Sequence, residues 1–264
     1  MKNKIIKILK WSLLIAYLIV VMSFVDKMRT KALCSSLRIT VNSESEFIDS
    51  ADVNKLLTNN KLFYDSIPLS HINFELIEKT IKNHSAVRDV QVYSSYEGKL
   101  IVSVVQRVPI VRVIPKYTSL NNGFYIDDQG KIMPLSEKYT AHVPVITGEI
   151  TPQFISSIDN DSVKNRNVIE TYHFTLYDLY HFVSYIHHNE LWSPQFEQIN
   201  INANYEVELV PRVGNHIIVL GDLTDYEYKL FKLEAMYYEG FKHTDWNSYK
   251  TINLKYANQI VCTK

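Results

Sequence analysis

The stretch VRDVQVYSSYEGKLIVSVVQR constrains this chain more than any other. Val87, Val90 and Val92 mark a first strand, and Leu100, Val102 and Val104 alternate through a second. Tyr96-Glu97-Gly98 between them reads as a turn. Two strands joined that closely lie antiparallel, and each then carries an apolar face that something must cover. The preceding residues supply the cover. DSADVNKLLTNN, with Ser50 as a candidate N-cap, puts Val53, Leu56 and Leu57 on one side of a helix. SHINFELIEKTIKNHSAV forms a second helix, capped by Asn73, with Phe74, Ile77 and Ile81 in a stripe. LRITV, Leu37 to Val41, alternates as a half-buried strand ahead of both. The order over residues 37–108 is therefore β-α-α-β-β, with Pro109 suited to a strand end or edge.

From residue 109 to 264 the pattern changes. GFYIDDQGKIMPL is a hairpin about Asp128-Gln129-Gly130, and VPVITG is a short strand. Val168 to Asn189 repeats Tyr172, Leu176, Leu179, Val183 and Ile186 at helical spacing. QFEQINI, YEVELVP and HIIVLG read as strands, Asp225 to Tyr238 as a helix stopping at Gly240. SYKTINLKYANQIVCTK, Ser248 to Lys264, reads as a final strand near the end of the chain. Only seven glycines occur, most of them at expected turns. The fold class is α+β, the second part a β-rich domain with an antiparallel-dominated sheet and flanking helices.

Trp11 to Val25 is uncharged and apolar, and extending it back to Ile5 admits only Lys7 and Lys10. At about 1.5 Å per residue the longer stretch spans about 30 Å, the thickness of a bilayer core. A cleaved signal peptide fits less well, because Asp26, Lys27, Met28 and Arg29 follow without a small-x-small site. The expectation is a cytoplasmic tail over 1–10, a single transmembrane helix over 11–25 or 5–25, and the remainder outside the cytoplasm.

Twenty-eight basic and 28 acidic residues balance to zero net charge, which disfavours nucleic acid as a partner. Cys34 and Cys262 form no C-x-x-C pair; burial is the plainer reading of each, a disulfide the other. No G-x-S-x-G, P-loop, H-E-x-x-H or G-x-G-x-x-G pattern occurs. His173, His181, His187 and His188 lie near one helix, where polar positions on an amphipathic face explain them better than a metal does. Asp127-Asp128-Gln129-Gly130 lacks the remaining ligands of a calcium loop. No catalytic residue, cofactor, metal or small-molecule substrate is expected.

Several phrases in order resemble the FtsQ/DivIB family of bacterial cell-division proteins, in wording nearest to Bacteroidetes versions. They are HSAVRDVQVYSSYEGKLIVSVVQRVPI with its Arg107-Val108-Pro109 exit, FYIDDQGKIMPL, Pro144-Val145, IIVLGD, KLFKLEAMYYEG and YKTINLKYANQIV. Asn253 and Lys255 stand where that family often has Asp and Arg. The resemblance implies a transmembrane helix, a POTRA domain over 37–108 and a β domain over 109–264. It also implies a non-catalytic divisome scaffold of the inner membrane, binding FtsB/DivIC-like and FtsL-like proteins and regulating septal peptidoglycan synthesis. The implied partner contact is strand addition at Tyr249, Thr251, Ile252, Asn253, Leu254, Lys255 and Tyr256. A membrane-anchored envelope enzyme with a non-standard site is the alternative, distinguished by a deep pocket rather than an open sheet edge.

Overall fold

A computed structural model describes residues 10–22, 34, 36–42, 45–63, 68–116, 123–159, 164–242 and 244–264. Residues 10–22 form helix α1, exposed along its length. At about 1.5 Å per residue it reaches about 20 Å, well short of a bilayer core. Among the described residues no helix is long and apolar enough to cross a membrane. The expected transmembrane helix over 11–25 or 5–25 is corrected accordingly: the described helix covers residues 10–22, and residues 5–9 and 23–25 lie outside the described residues.

The chain divides between Gln106 and Arg107 into two units. The first contains β1 (Ser36–Asn42), α2 (Ser50–Asn59), a 3₁₀ turn (Leu69–His71), α3 (Phe74–Lys82), β2 (Val87–Ser94) and β3 (Lys99–Gln106). The strand order is β1-β3-β2, with β1 parallel and β2 antiparallel to β3. Helix α2 begins one residue earlier in its cap than its sequence suggests. Asp49, not Ser50, is the N-cap, and it exchanges hydrogen bonds with Asp52: Asp52 N–H to Asp49 Oδ1 at 2.8 Å, Asp49 N–H to Asp52 Oδ2 at 3.2 Å. Asn73 caps α3 as expected, accepting from Leu76 N–H at 3.0 Å. Val53 and Leu57 of α2, Ile77 and Ile81 of α3, and Leu100, Val102 and Val104 of β3 are all fully buried. Gln106 ends that strand from inside, accepting from Ile48 N–H and donating to Ser45 O.

The second unit contains β4 (Pro109–Val113), β5 (Phe124–Asp127), β6 (Ile132–Pro134), β7 (Val145–Gly148), α4 (Pro152–Ser156), α5 (Arg166–Tyr172), α6 (Leu176–His188), β8 (Phe196–Ile201), β9 (Val207–Pro211), β10 (Ile217–Gly221), α7 (Tyr226–Ala235), β11 (Thr251–Asn253) and β12 (Val261–Thr263). One sheet takes the order β12-β11-β10-β9-β8-β7-β4-β5-β6. Its joins are parallel at β4–β7, β7–β8 and β10–β11 and antiparallel elsewhere. Alternate strand residues Ile146, Ile199, Leu209, Ile218 and Ile252 point into one core with Phe154, Tyr172, Phe182, Val183, Leu230 and Leu233 from the helices. The intervening residues face the other way and carry polar groups. Gln198 donates to Thr147 at 2.8 Å, and Glu208 accepts from Asn200 and Asn202 at 3.0 and 2.8 Å.

Two local departures have clear causes. The single helix expected over Val168 to Asn189 is two, because His173 adopts a left-handed conformation at φ 63° and Thr175 starts a new capping box with Asp178. Gly148 ends β7 at φ +106°, with Ile201 O only 1.9 Å from where a Cβ would sit. Gly148→Ala therefore forces apart the β7–β8 join and adds backbone strain. It is expected to cost about 3 kcal/mol in urea denaturation, against near-neutral behaviour if the strand simply shifts.

Candidate functional site

The closing stretch is a hairpin rather than one strand. Strand β11 is enclosed on both sides, lying parallel to β10 (Ile217↔Thr251, Val219↔Asn253) and antiparallel to β12 (Thr251↔Thr263, Ile252↔Cys262, Asn253↔Val261). Strand β12 is thus the terminal strand of the sheet at this end. The opposite terminal strand, β6, ends in Pro134, which cannot donate to an added strand. Val261, Cys262 and Thr263 of β12 contain no proline, and Val261 is exposed.

The seven expected contact residues divide by position. Ile252 and Leu254 are buried in the core. Tyr249 is half-buried near Phe241, with ring centroids 6.3 Å apart. Thr251 and Asn253 are half-buried, and the Thr251 hydroxyl meets that of Thr263 at 2.5 Å. Lys255 and Tyr256 are exposed in the turn that leads to β12. The strand that forms the outer edge, Val261 to Thr263, is absent from the expected set. Its signal was Asn258 in YANQ, a turn residue between two short apolar stretches.

Side chains from distant phrases hold this corner. Lys229 of α7 pairs with Asp222 at 2.7 Å. Lys232, one turn on, donates to Leu254 O at 3.1 Å and to Tyr256 O, fixing the start of the hairpin turn. Burial and the neighbouring Lys229 charge lower the Lys232 pKa. Lys255 bridges to Glu206 at 2.8 Å, which raises its pKa, and its stem crosses Gly221 where a Cβ would collide. The Lys255 ammonium makes this bond as a point charge, without the two-pronged geometry of arginine. Tyr228 and Phe231 lie exposed on α7 with centroids 6.4 Å apart, and Lys232 sits 5.5 Å over the Tyr228 ring.

Beneath the first residues of β10 and β11 lies a buried histidine. His216 Nε2 is 3.2 Å from the Tyr237 hydroxyl, and Phe241 and Trp246 flank its ring. Nδ1 is buried without a hydrogen-bond partner. Burial lowers the His216 pKa below 6.5, the nearby Trp246 carbonyl pulling weakly the other way. The folded unit therefore holds His216 neutral, while the unfolded chain takes up a proton as pH falls below about 6.5. Stability is full above that pH and is lost as pH drops toward the depressed folded value. His216→Phe is expected to flatten the fall in Tm between about pH 6.5 and 5. An unchanged slope would assign the acid sensitivity to His84 and His187, whose pKa values burial also lowers.

The helical histidines make local contacts. His181 packs on Tyr177 and Tyr180, and His188 Nδ1 lies 2.8 Å from Ser184 O. Among the described residues no group of three His, Cys, Asp or Glu side chains is placed to hold a metal ion. Cys34 and Cys262 are free thiols, Cys34 buried and Cys262 half-buried.

Comparison with known families gives two matches. Residues 108–263 match the model described as FtsQ/DivIB, C-terminal related, and residues 32–105 match that of a POTRA-like domain. No curated protein matches the chain.

Proposed function

The chain belongs to the FtsQ/DivIB, C-terminal related family, and on that premise we propose that it is a cell-division scaffold whose β12 edge accepts a strand from a partner. The family is non-catalytic. The observation that carries the reading is the position of β12, the outermost strand of a nine-stranded sheet at the end of the family-matched region. An added strand gains backbone hydrogen bonds there, and specificity comes from side chains at alternate positions. The exposed Tyr256, Val261 and Thr263 are the side chains available to it; Thr251 and Asn253 pair with β12, Lys255 is held by Glu206, and Tyr249, Ile252 and Leu254 anchor the hairpin to the core.

The partners proposed are FtsB/DivIC-like and FtsL-like division proteins, and the consequence is recruitment or regulation of septal peptidoglycan synthesis. Depletion of the protein in its host, followed by microscopy, tests the reading. The expected result is filaments lacking completed septa. Normal septation without the protein and without a second copy would contradict it.

A further inference from the structure

We infer that the outward face of α7 is a docking seam for an amphipathic helix of a partner protein, one that carries lysine or arginine along a flank. The inference does not rest on the reading of β12. Helix α7 has two apolar stripes where folding requires one. Leu230 and Leu233 are fully buried in the core of the second unit, and Tyr226 and Tyr237 pack half-buried against that core. Tyr228 and Phe231 lie on the opposite side of the helix, 48% and 63% exposed, and exposed Ala235 follows four residues on. Tyr238 is also exposed, in the π turn Met236–Gly240 that continues the helix. The solvent side of a surface helix is ordinarily polar. A single exposed apolar residue there needs no explanation, but a row of them does.

The spacing specifies a helix as the occupant. Residues 228, 231 and 235 are separated by three and then four positions, the interval at which knobs recur along a helix–helix seam. The Tyr228 and Phe231 rings lie 25° from parallel with centroids 6.4 Å apart. Beyond them Ala235, with a single side-chain carbon, lets a partner axis come close. An extended segment gains nothing here, because the backbone groups within a helix already bond to one another.

Charge then selects among helices. One flank of the seam carries Lys229 and Lys232, and both are committed within the fold. Lys229 pairs with Asp222 at 2.7 Å, and Lys232 donates to the Leu254 and Tyr256 carbonyls. The other flank carries Glu227 and Glu234, seven residues apart, so they stand in one line two turns from end to end. They lie beside Tyr185 of α6, whose pKa is raised by burial and then by these two charges. Neither carboxylate pairs with a cation among the described residues. An incoming helix with two cations seven residues apart answers both, while its apolar stripe covers Tyr228 and Phe231. An acidic helix or an anionic membrane surface would meet like charge on that flank.

The test uses the full chain and an end-blocked peptide of three heptads, with leucine at a and d and lysine at e and g. Lysine on both flanks reaches Glu227 and Glu234 in either orientation and keeps the peptide from pairing with itself. Fluorescence anisotropy in dilute salt is expected to give a Kd on the order of 10 μM, the peptide turning helical by circular dichroism as it binds. The same peptide with glutamate at e and g should bind about tenfold more weakly. Phe231→Glu, at an exposed position, should leave Tm unchanged and weaken binding about thirtyfold or more. Glu227→Lys combined with Glu234→Lys should reverse the preference between the two peptides. No binding, an affinity unmoved by Phe231→Glu, or equal affinity for the two peptides would overturn the inference. So would a dimer of the chain, or adsorption to phosphatidylglycerol vesicles, that Phe231→Glu abolishes.

Discussion

Cys262→Pro is expected to reduce affinity for a strand-adding partner about a hundredfold or more, with little change in Tm. The register explains why this position and not its neighbours. Leu254 N–H donates to Val219 O at 2.9 Å, and Ile217 N–H donates to Lys250 O at 2.9 Å. Lys250 N–H donates to Thr263 O at 2.8 Å, so the Thr263 carbonyl faces β11, which pairs with β12 at Thr251↔Thr263 and Asn253↔Val261. Alternation turns the Cys262 peptide groups outward. Proline there removes the central donor of the free edge and places its ring where the partner backbone would lie. The core loses little, because Cys262 is only half-buried. Thr251→Pro or Asn253→Pro would act differently, parting β11 from β12 and unfolding the hairpin. Isothermal titration with an FtsB/DivIC-like partner separates the cases. A Cys262→Pro protein that melts normally and binds normally would remove β12 from the interface.

Asp127→Ala is expected to be the most destabilising single change outside the hydrophobic core, at about 4 kcal/mol in urea denaturation. Asp127 is buried at the end of β5. Its carboxylate accepts from Gln129 N–H at 3.0 Å, Lys131 N–H at 2.7 Å and the Arg107 guanidinium at 2.7 Å. The alanine strands two backbone donors and leaves a mostly buried cation unpaired. Asp127→Asn keeps its oxygen on the two backbone donors, which share Oδ1, but turns its amide hydrogens on the Arg107 guanidinium, and should recover only part of the loss. Arg107→Ala should fall in the same range, because it leaves the carboxylate buried without its counter-ion. A loss under about 1 kcal/mol for both would mean that water replaces the pair. The contact joins two phrases read separately in the sequence, the Arg107-Val108-Pro109 exit and the Asp127 hairpin.

Local patterns made the first unit legible. Asn73 as a cap, the Ile77 and Ile81 stripe and the paired alternations around Gly98 each act over a few residues, and the structure keeps them all. The second unit was legible where its elements were long. It was less so where a short-range rule broke a long pattern: the Thr175–Asp178 capping box divides a helical repeat that runs through it. The hairpin at the C-terminus was hidden for a related reason. Strands β11 and β12 have three residues each, too few for alternation to declare two strands instead of one. The length of the apolar run from Ile5 to Val25 suggested the membrane helix, but among the described residues the helix covers only 10–22, too few to cross. Convergences such as Lys229 with Asp222, Lys255 with Glu206, and Lys232 with the Leu254 carbonyl depend on strand order, which no linear spacing encodes.

The β12 edge is the centre of the account, and hydrogen exchange on the full chain with and without an FtsB/DivIC-like partner tests it most directly. The account predicts slowed exchange at Cys262 and its neighbours in β12, little change in the already paired β11, and none in β6 at the far end of the sheet. Tight binding with exchange at β12 unchanged, or protection confined to β6, would contradict it.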